Sequence, residues 1–261
     1  AQTDFDAQRY RSLGVKNISI VGNLKFDVPL DPLSVEQGKL WKKELHAGRV
    51  DITTAKELGE ILASIHSYAA KRPEMAKEFP TEKIFYEIRL APYLIATAER
   101  HPHLANALHA LVAQTQDNAK TLVHGDVSPK NIMLGPLGPV ILDAECAWYG
   151  DPAFDVAFCL NHFFLKAAHM PRLAPALLQG AQDFLKAYLQ EVTWESVPEL
   201  EYRIASLLPG LMLARVDGKS PVEYLAAERG AVVRTLAIEF LKQDDVSFSI
   251  IHERWGQAFA N

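Results

Sequence analysis

Cysteine is scarce. The 261 residues hold two, Cys146 and Cys159, both in apolar surroundings. A disulfide-stapled scaffold is excluded, and reduced core thiols in a cytoplasmic protein are the expectation. No apolar run approaches the length of a membrane span, and the opening residues lack a signal-peptide pattern. Positive charge is not in excess: 27 Lys and Arg stand against 32 Asp and Glu, a net charge of −5. A nucleic-acid binder is usually basic, so that class of partner is set aside, while a cationic small substrate is not. Internal repeats and low-complexity tracts are absent. Apolar residues are plentiful at 49%, enough for a sizeable core in one or two domains.

One stretch organises the chain, residues 122–155, LVHGDVSPKNIMLGPLGPVILDAECAWYGDPAFD. Asp126 and Asn131 stand in H-G-D-x-x-x-x-N, and Asp143 follows the apolar run Pro139-Val140-Ile141-Leu142. An acid, an amide and a second acid in this order match the kinase catalytic loop and its following metal-binding Asp. Phosphoryl transfer needs an aligned hydroxyl and neutralised phosphate charge more than covalent help. Asp126 fits the base, and Asn131 and Asp143 fit the ligands of one Mg²⁺, which keeps several waters and takes phosphate oxygens besides. Pro129 fixes the backbone between them. Gly135, Pro136, Gly138 and Pro139 predict a turn that joins two short strands into a hairpin.

With those residues in view, the chain resembles the aminoglycoside phosphotransferase and choline kinase family, small-molecule kinases with a protein-kinase-like fold. The match is carried by His124-Gly125-Asp126, Pro129, Asn131, Leu142-Asp143, Glu145, Gly150-Asp151-Pro152, Asp155 and Ala157. It extends more weakly from about residue 45 to the C-terminus. The resemblance implies ATP and Mg²⁺ as cofactors and a hydroxyl-bearing small molecule as substrate. It also implies that Asp155 braces the loop near His124 without reacting. The motifs are silent about which substrate.

The implied fold is α+β: residues 49–261 as a mostly helical, kinase-like C-lobe, and residues 1–48 as a small βα segment and hinge. Apolar periodicity predicts helices over 55–68, 85–99, 104–116, 154–169, 174–189, 197–215 and 222–241, and a last short one over 250–259. Pro92 predicts a kink or break, and the Pro209-Gly210 pair a kink. His66 reads as a packed or capping residue. Asn161 and His162, in a strongly apolar helix, read as bonding to the core.

Residues 1–50 contain neither G-x-G-x-x-G nor V-A-I-K, the phosphate cover and strand lysine of a kinase N-lobe. Lys25 and Glu44 are candidates for imitating the Lys–Glu pair. The expectation is an N-lobe truncated or replaced, with weakened ATP binding. A lobe interface left open would be covered by a homodimer or another partner. A catalytically weak or inactive homologue that binds a nucleotide or a partner is the alternative. Residues 1–30 resemble a short segment of the 3-deoxy-manno-octulosonate transferases, through Asp6-Ala7, Arg9, Leu13-Gly14 and Gly22-Asn23-Leu24-Lys25-Phe26-Asp27. A glycosyltransferase fragment is the third possibility.

Overall fold

A computed structural model describes residues 39–46 and 52–260. The readings on residues 1–38, including Lys25 and the transferase-like segment, lie outside the described residues. The elements in order are β1 (Lys39–Leu40), α1 (Trp41–His46), α2 (Ile52–Ala70), and the single turns α3 (Met75–Glu78) and α4 (Glu82–Phe85). A π-helical stretch (Tyr86–Ile95) continues into α5 (Ala96–Arg100), followed by α6 (Ala105–Asp117), β2 (Thr121–Val123), β3 (Ile132–Gly135), β4 (Gly138–Ile141) and β5 (Trp148–Gly150). The C-terminal helices are α7 (Pro152–His169), α8 (Ala174–Gln190), α9 (Val197–Asp217), α10 (Ala227–Leu241) and α11 (Phe248–Phe259). The architecture is α+β and mostly helical, as the resemblance implies.

Helix α7 is the centre of the body. Asp151 caps it, accepting from Ala153 N at 3.0 Å, and Pro152 occupies its first turn, where a missing N–H costs nothing. Nearly every side chain from Pro152 to Ala168 is buried, so the helix is apolar all round and belongs to the core. It packs on α8, α9 and α10. Arg203 of α9 ties down its cap through Asp151 at 3.1 Å and also pairs with Glu195 at 2.7 Å.

The strands are short and serve the loops. β3 and β4 form the predicted hairpin, with Ile132 opposite Ile141 and Gly135 opposite Gly138 across the Pro136-Leu137 turn. β1 adds to its outer edge, Leu40 opposite Met133. β2 pairs with β5, Val123 opposite Trp148.

Three expectations are corrected. The stretch read as a hinge contains β1 and α1, and Trp41 of α1 is buried edge-on against Phe163 of α7 at 5.2 Å. These residues pack with the helical body. Pro92 does not break its helix. The helix widens to π geometry over Tyr86–Ile95, which accommodates the missing N–H. The helix expected to start at residue 222 starts at Ala227. Val222 N instead donates back to Arg215 O at 2.8 Å, folding residues after Pro221 over the end of α9.

α2 and α8 pack closely at Gly59. A Cβ there would lie 2.4 Å from Phe184 O and 3.1 Å from Tyr188 N, both backbone atoms of α8. Gly59→Ala is therefore expected to force the helices apart and to lower stability by about 1–3 kcal/mol. Urea unfolding checks this, and a midpoint equal to that of the parent would show that the helices have room.

Candidate active site

The loop after β2 turns sharply at Gly125, whose φ of +78° favours glycine. A Cβ here would also meet Cys146 Cβ at 2.9 Å and Cys146 O at 3.0 Å. The turn aims two amides at one carboxylate. His124 N and Gly125 N donate to Asp155 at 2.6 and 2.7 Å. Asp155 stands in the first turn of α7 and is fully buried. A third partner arrives from α2, His66 Nε2 at 3.3 Å. A carboxylate only accepts, so Nε2 carries the proton, and Nδ1 accepts from the Tyr188 hydroxyl at 2.8 Å.

His124 is wired in the same manner. Its Nδ1 accepts from Asp126 N at 3.2 Å, which leaves the proton on Nε2 to donate to Leu142 O at 3.1 Å. Burial pushes its pKa down against the opposing pull of Asp155 and Asp126, so this neutral tautomer is the resting form. One imidazole thereby links the loop bearing Asp126 to the strand end before Asp143.

Asp126 is 6% exposed. Burial alone would raise its pKa, but Arg89 and Lys130 outweigh it and hold the carboxyl below its ordinary value. Both cations meet Oδ2, Arg89 Nη2 at 3.1 Å and Lys130 Nζ at 3.0 Å. The described residues offer no partner to Oδ1. Arg89 also donates to Gly125 O through Nε, and its Nη2 lies 2.9 Å from Cys146 Sγ.

Asn131 is fully buried. Its Nδ2 donates to Asp126 O at 3.1 Å, while Oδ1 has no partner among the described residues. A buried orphan acceptor is uncommon and needs an explanation. Leu142 N donates to Asn131 O at 2.7 Å, one residue before Asp143. Asp143 has φ +71° and is the one non-glycine with positive φ among the described residues. Such backbones occur at functional sites, and Asp tolerates them better than most residues. An amide oxygen without a protein partner and a nearly buried carboxylate fit a hard cation. No group of three His, Cys, Asp or Glu able to hold a metal exists among the described residues. Two protein ligands suit Mg²⁺ when phosphates and water supply the rest.

Beside Asp126 opens a cavity of about 390 Å³. Arg89, Tyr93, Lys130, His162, Lys166 and Arg215 are among the side chains that line it. His162, read from sequence as bonding to the core, stands instead on this wall, its Nε2 buried without a partner among the described residues. Asn161 stays in the core, also unpartnered. His66, read as packed, is the buried link between Asp155 and Tyr188 described above. Sequence reasoning missed Arg89 and Lys166. Each is a lone cation in an otherwise apolar helical run, IRLAPYL and FFLKAA, and a charge in that setting needs a reason. Glu44 lies in α1, while its expected partner Lys25 is outside the described residues.

Comparison with known proteins fits this geometry. Residues 38–200 match the model of the phosphotransferase enzyme family. The methylthioribose kinase of Enterobacter sp. (strain 638) is 25% identical over 163 residues, covering 51% of this chain and 40% of that kinase. The methylthioribose kinase of Erwinia tasmaniensis is 26% identical over 188 residues, covering 61% of this chain and 46% of that kinase. The chain thus spans less than half the length of these relatives. Neither comparison supports the resemblance of residues 1–30 to the octulosonate transferases. No described helix is long and apolar enough to cross a membrane.

The imidazole of His162 gives a pH test. Burial, then Arg215, drives its pKa down to about 3. The unfolded chain therefore takes up a proton first as the pH falls. Stability from this group is complete above about pH 6.5 and is lost between about 6.5 and 3. Asp151, raised to about 6 by burial despite Arg203, acts in the opposite sense below pH 6. The readout is thus the difference between the parent and His162→Gln. From pH 6.5 to 5 the parent should lose roughly 1.5 kcal/mol relative to the variant in urea unfolding. A difference independent of pH would show that His162 is not held neutral.

Proposed function

The chain belongs to the phosphotransferase enzyme family, and from that premise we propose that it transfers the γ-phosphoryl group of ATP to a hydroxyl of a small molecule. The observation that supports the reading is a buried Asp126 held by two cations, with the orphan oxygen of Asn131 five residues on and Asp143 following the residue whose N–H bonds to Asn131 O.

In this reading Asp126 orients the acceptor hydroxyl through Oδ1 and takes its proton as the oxygen attacks phosphorus. Arg89 and Lys130 keep Asp126 ionised and fix its position. Asn131 and Asp143 are the residues that would hold Mg²⁺, and the metal, when bound, supplies charge neutralisation at the phosphates. His124 and Asp155 are positioning residues that shape the loop. Cys146 and Cys159 are both free and buried, which suits a reduced, cytoplasmic setting. The relatives are named for methylthioribose, and identity near 25% supports the class of chemistry rather than that acceptor.

Asp126→Ala should slow phosphotransfer by about 10²–10⁴-fold, the usual worth of a positioned acid–base group. Asp143→Ala should also remove it, and the double variant should lose little more, because the residues act as one unit. In parallel, stabilisation by ATP–Mg²⁺ in a thermal-shift titration should survive Asp126→Ala and vanish in Asp143→Ala. Stabilisation by ATP–Mg²⁺ with no turnover of any hydroxyl compound would favour the inactive, nucleotide-binding homologue instead.

A further inference from the structure

The cavity beside Asp126 carries a charge imbalance that phosphoryl transfer alone does not explain. Five cationic side chains line it against two carboxylates, Asp126 and Glu223. Arg89 and Lys130 are accounted for by Asp126. Lys42, Lys166 and Arg215 are not, because no described residue forms an ion pair with any of them.

Lys166 is the decisive group. It is 4% exposed, a rare position for lysine without a carboxylate. Its ammonium lies 3.9 Å from the centre of the Tyr224 ring and makes no hydrogen bond to a described residue. Burial and the nearby charge of Lys42, which lines the same cavity, lower its pKa to about 8. Arg215 is held on the same wall by Ser220, through its carbonyl and through Oγ at 2.9 Å, and by the Tyr93 hydroxyl at 3.3 Å. All three anchors are neutral, and its Nε is buried without a partner among the described residues. The Tyr224 hydroxyl is likewise buried and unpartnered. Buried donors and uncompensated cations in one pocket are costly unless a ligand completes them.

The nucleotide is not the natural source of that anion. Neither Asn131 nor Asp143 lines this cavity, whereas Asp126, Ser128, Pro129 and Lys130 do. The cations therefore sit on the acceptor side of Asp126. We infer that the acceptor is itself anionic: a hydroxylated metabolite carrying a phosphate or carboxylate, which is gripped by Lys42, Lys166 and Arg215 while its hydroxyl faces Asp126. This rests on the phosphotransfer reading for the role of Asp126, and it narrows the substrate class to exclude polycationic amines.

Calorimetry without nucleotide or Mg²⁺ tests it, with ribose, ribonate and ribose 5-phosphate as probes. At least one of the two anions should bind ten times more tightly than ribose, and which of them does so separates carboxylate from phosphate. That advantage should fall at least tenfold in Lys166→Met, which keeps the buried stem, and in Lys42→Met at the exposed mouth. It should persist in Asp143→Asn. Thermal melts of each variant verify folding. Equal binding of ribose and both anions overturns the inference, as does a preference that survives both lysine variants. An advantage lost in Asp143→Asn but kept in Lys166→Met places the anion in the nucleotide site and also overturns it. Failure of the phosphotransfer reading shows separately, as anion binding of the expected pattern with no transfer from ATP–Mg²⁺ to any bound probe.

Discussion

The site depends on one buried carboxylate. Asp155 collects the amides of His124 and Gly125 and the imidazole of His66, and it lies fully out of water. Leaving an ionised group there without partners costs several kcal/mol, so the turn is fixed in the only form that satisfies it. Glycine at position 125 is then obligatory, since Cys146 fills the space of any Cβ. The direction of Asp126 follows from that turn. So does the hydrogen bond from Asp126 N that sets the tautomer of His124. A chain of neutral and charged groups thus runs from α2 through the loop to the hairpin end without any exposed link.

Charge around Asp126 obeys a different logic. A carboxylate meant to accept a proton needs to be ionised, yet burial favours the protonated form. Arg89 and Lys130 reverse that preference by crowding one oxygen, Oδ2. Arg89 stands within the widened stretch of helix that holds Pro92. The same proline that looked in sequence like a break therefore accompanies the residue that tunes the acid.

Much of the loop was legible in the sequence because its chemistry is local. Asp126, Asn131 and Asp143 lie within 18 residues, on a turn and a hairpin whose glycines and prolines advertise themselves. The role of Asp155 came from the resemblance, since its bonds to His124 and Gly125 span about thirty positions. The partners that arrive from elsewhere were not legible. His66 and Tyr188 meet across 122 positions, and Arg89 meets Cys146 across 57. No periodicity encodes such encounters. The helices were legible from their apolar spacing, but the span starting at 222 was drawn too long. There an apolar pattern continues through residues whose backbone bonds to the end of α9 instead. The segment read as a hinge failed for the opposite reason: six residues are too few to show a period, yet Trp41 and Leu45 bury themselves.

Helix α7 then joins the two halves of the argument. Asp155, Phe158, His162 and Lys166 follow one another at three- and four-residue steps, so they share one stripe of the helix. The first braces the loop and the other three line the cavity. The other residues of α7 from Pro152 to Ala168 are packed into the core and can shift only with the helices around them. The distance between the loop that carries Asp126 and the ammonium of Lys166 is consequently set by helical rise, roughly 1.5 Å per residue, rather than by a flexible surface loop. A lone lysine at the far end of an apolar helix is difficult to justify as packing. As the far end of a ruler whose near end holds the acid in place, its position has a physical reason.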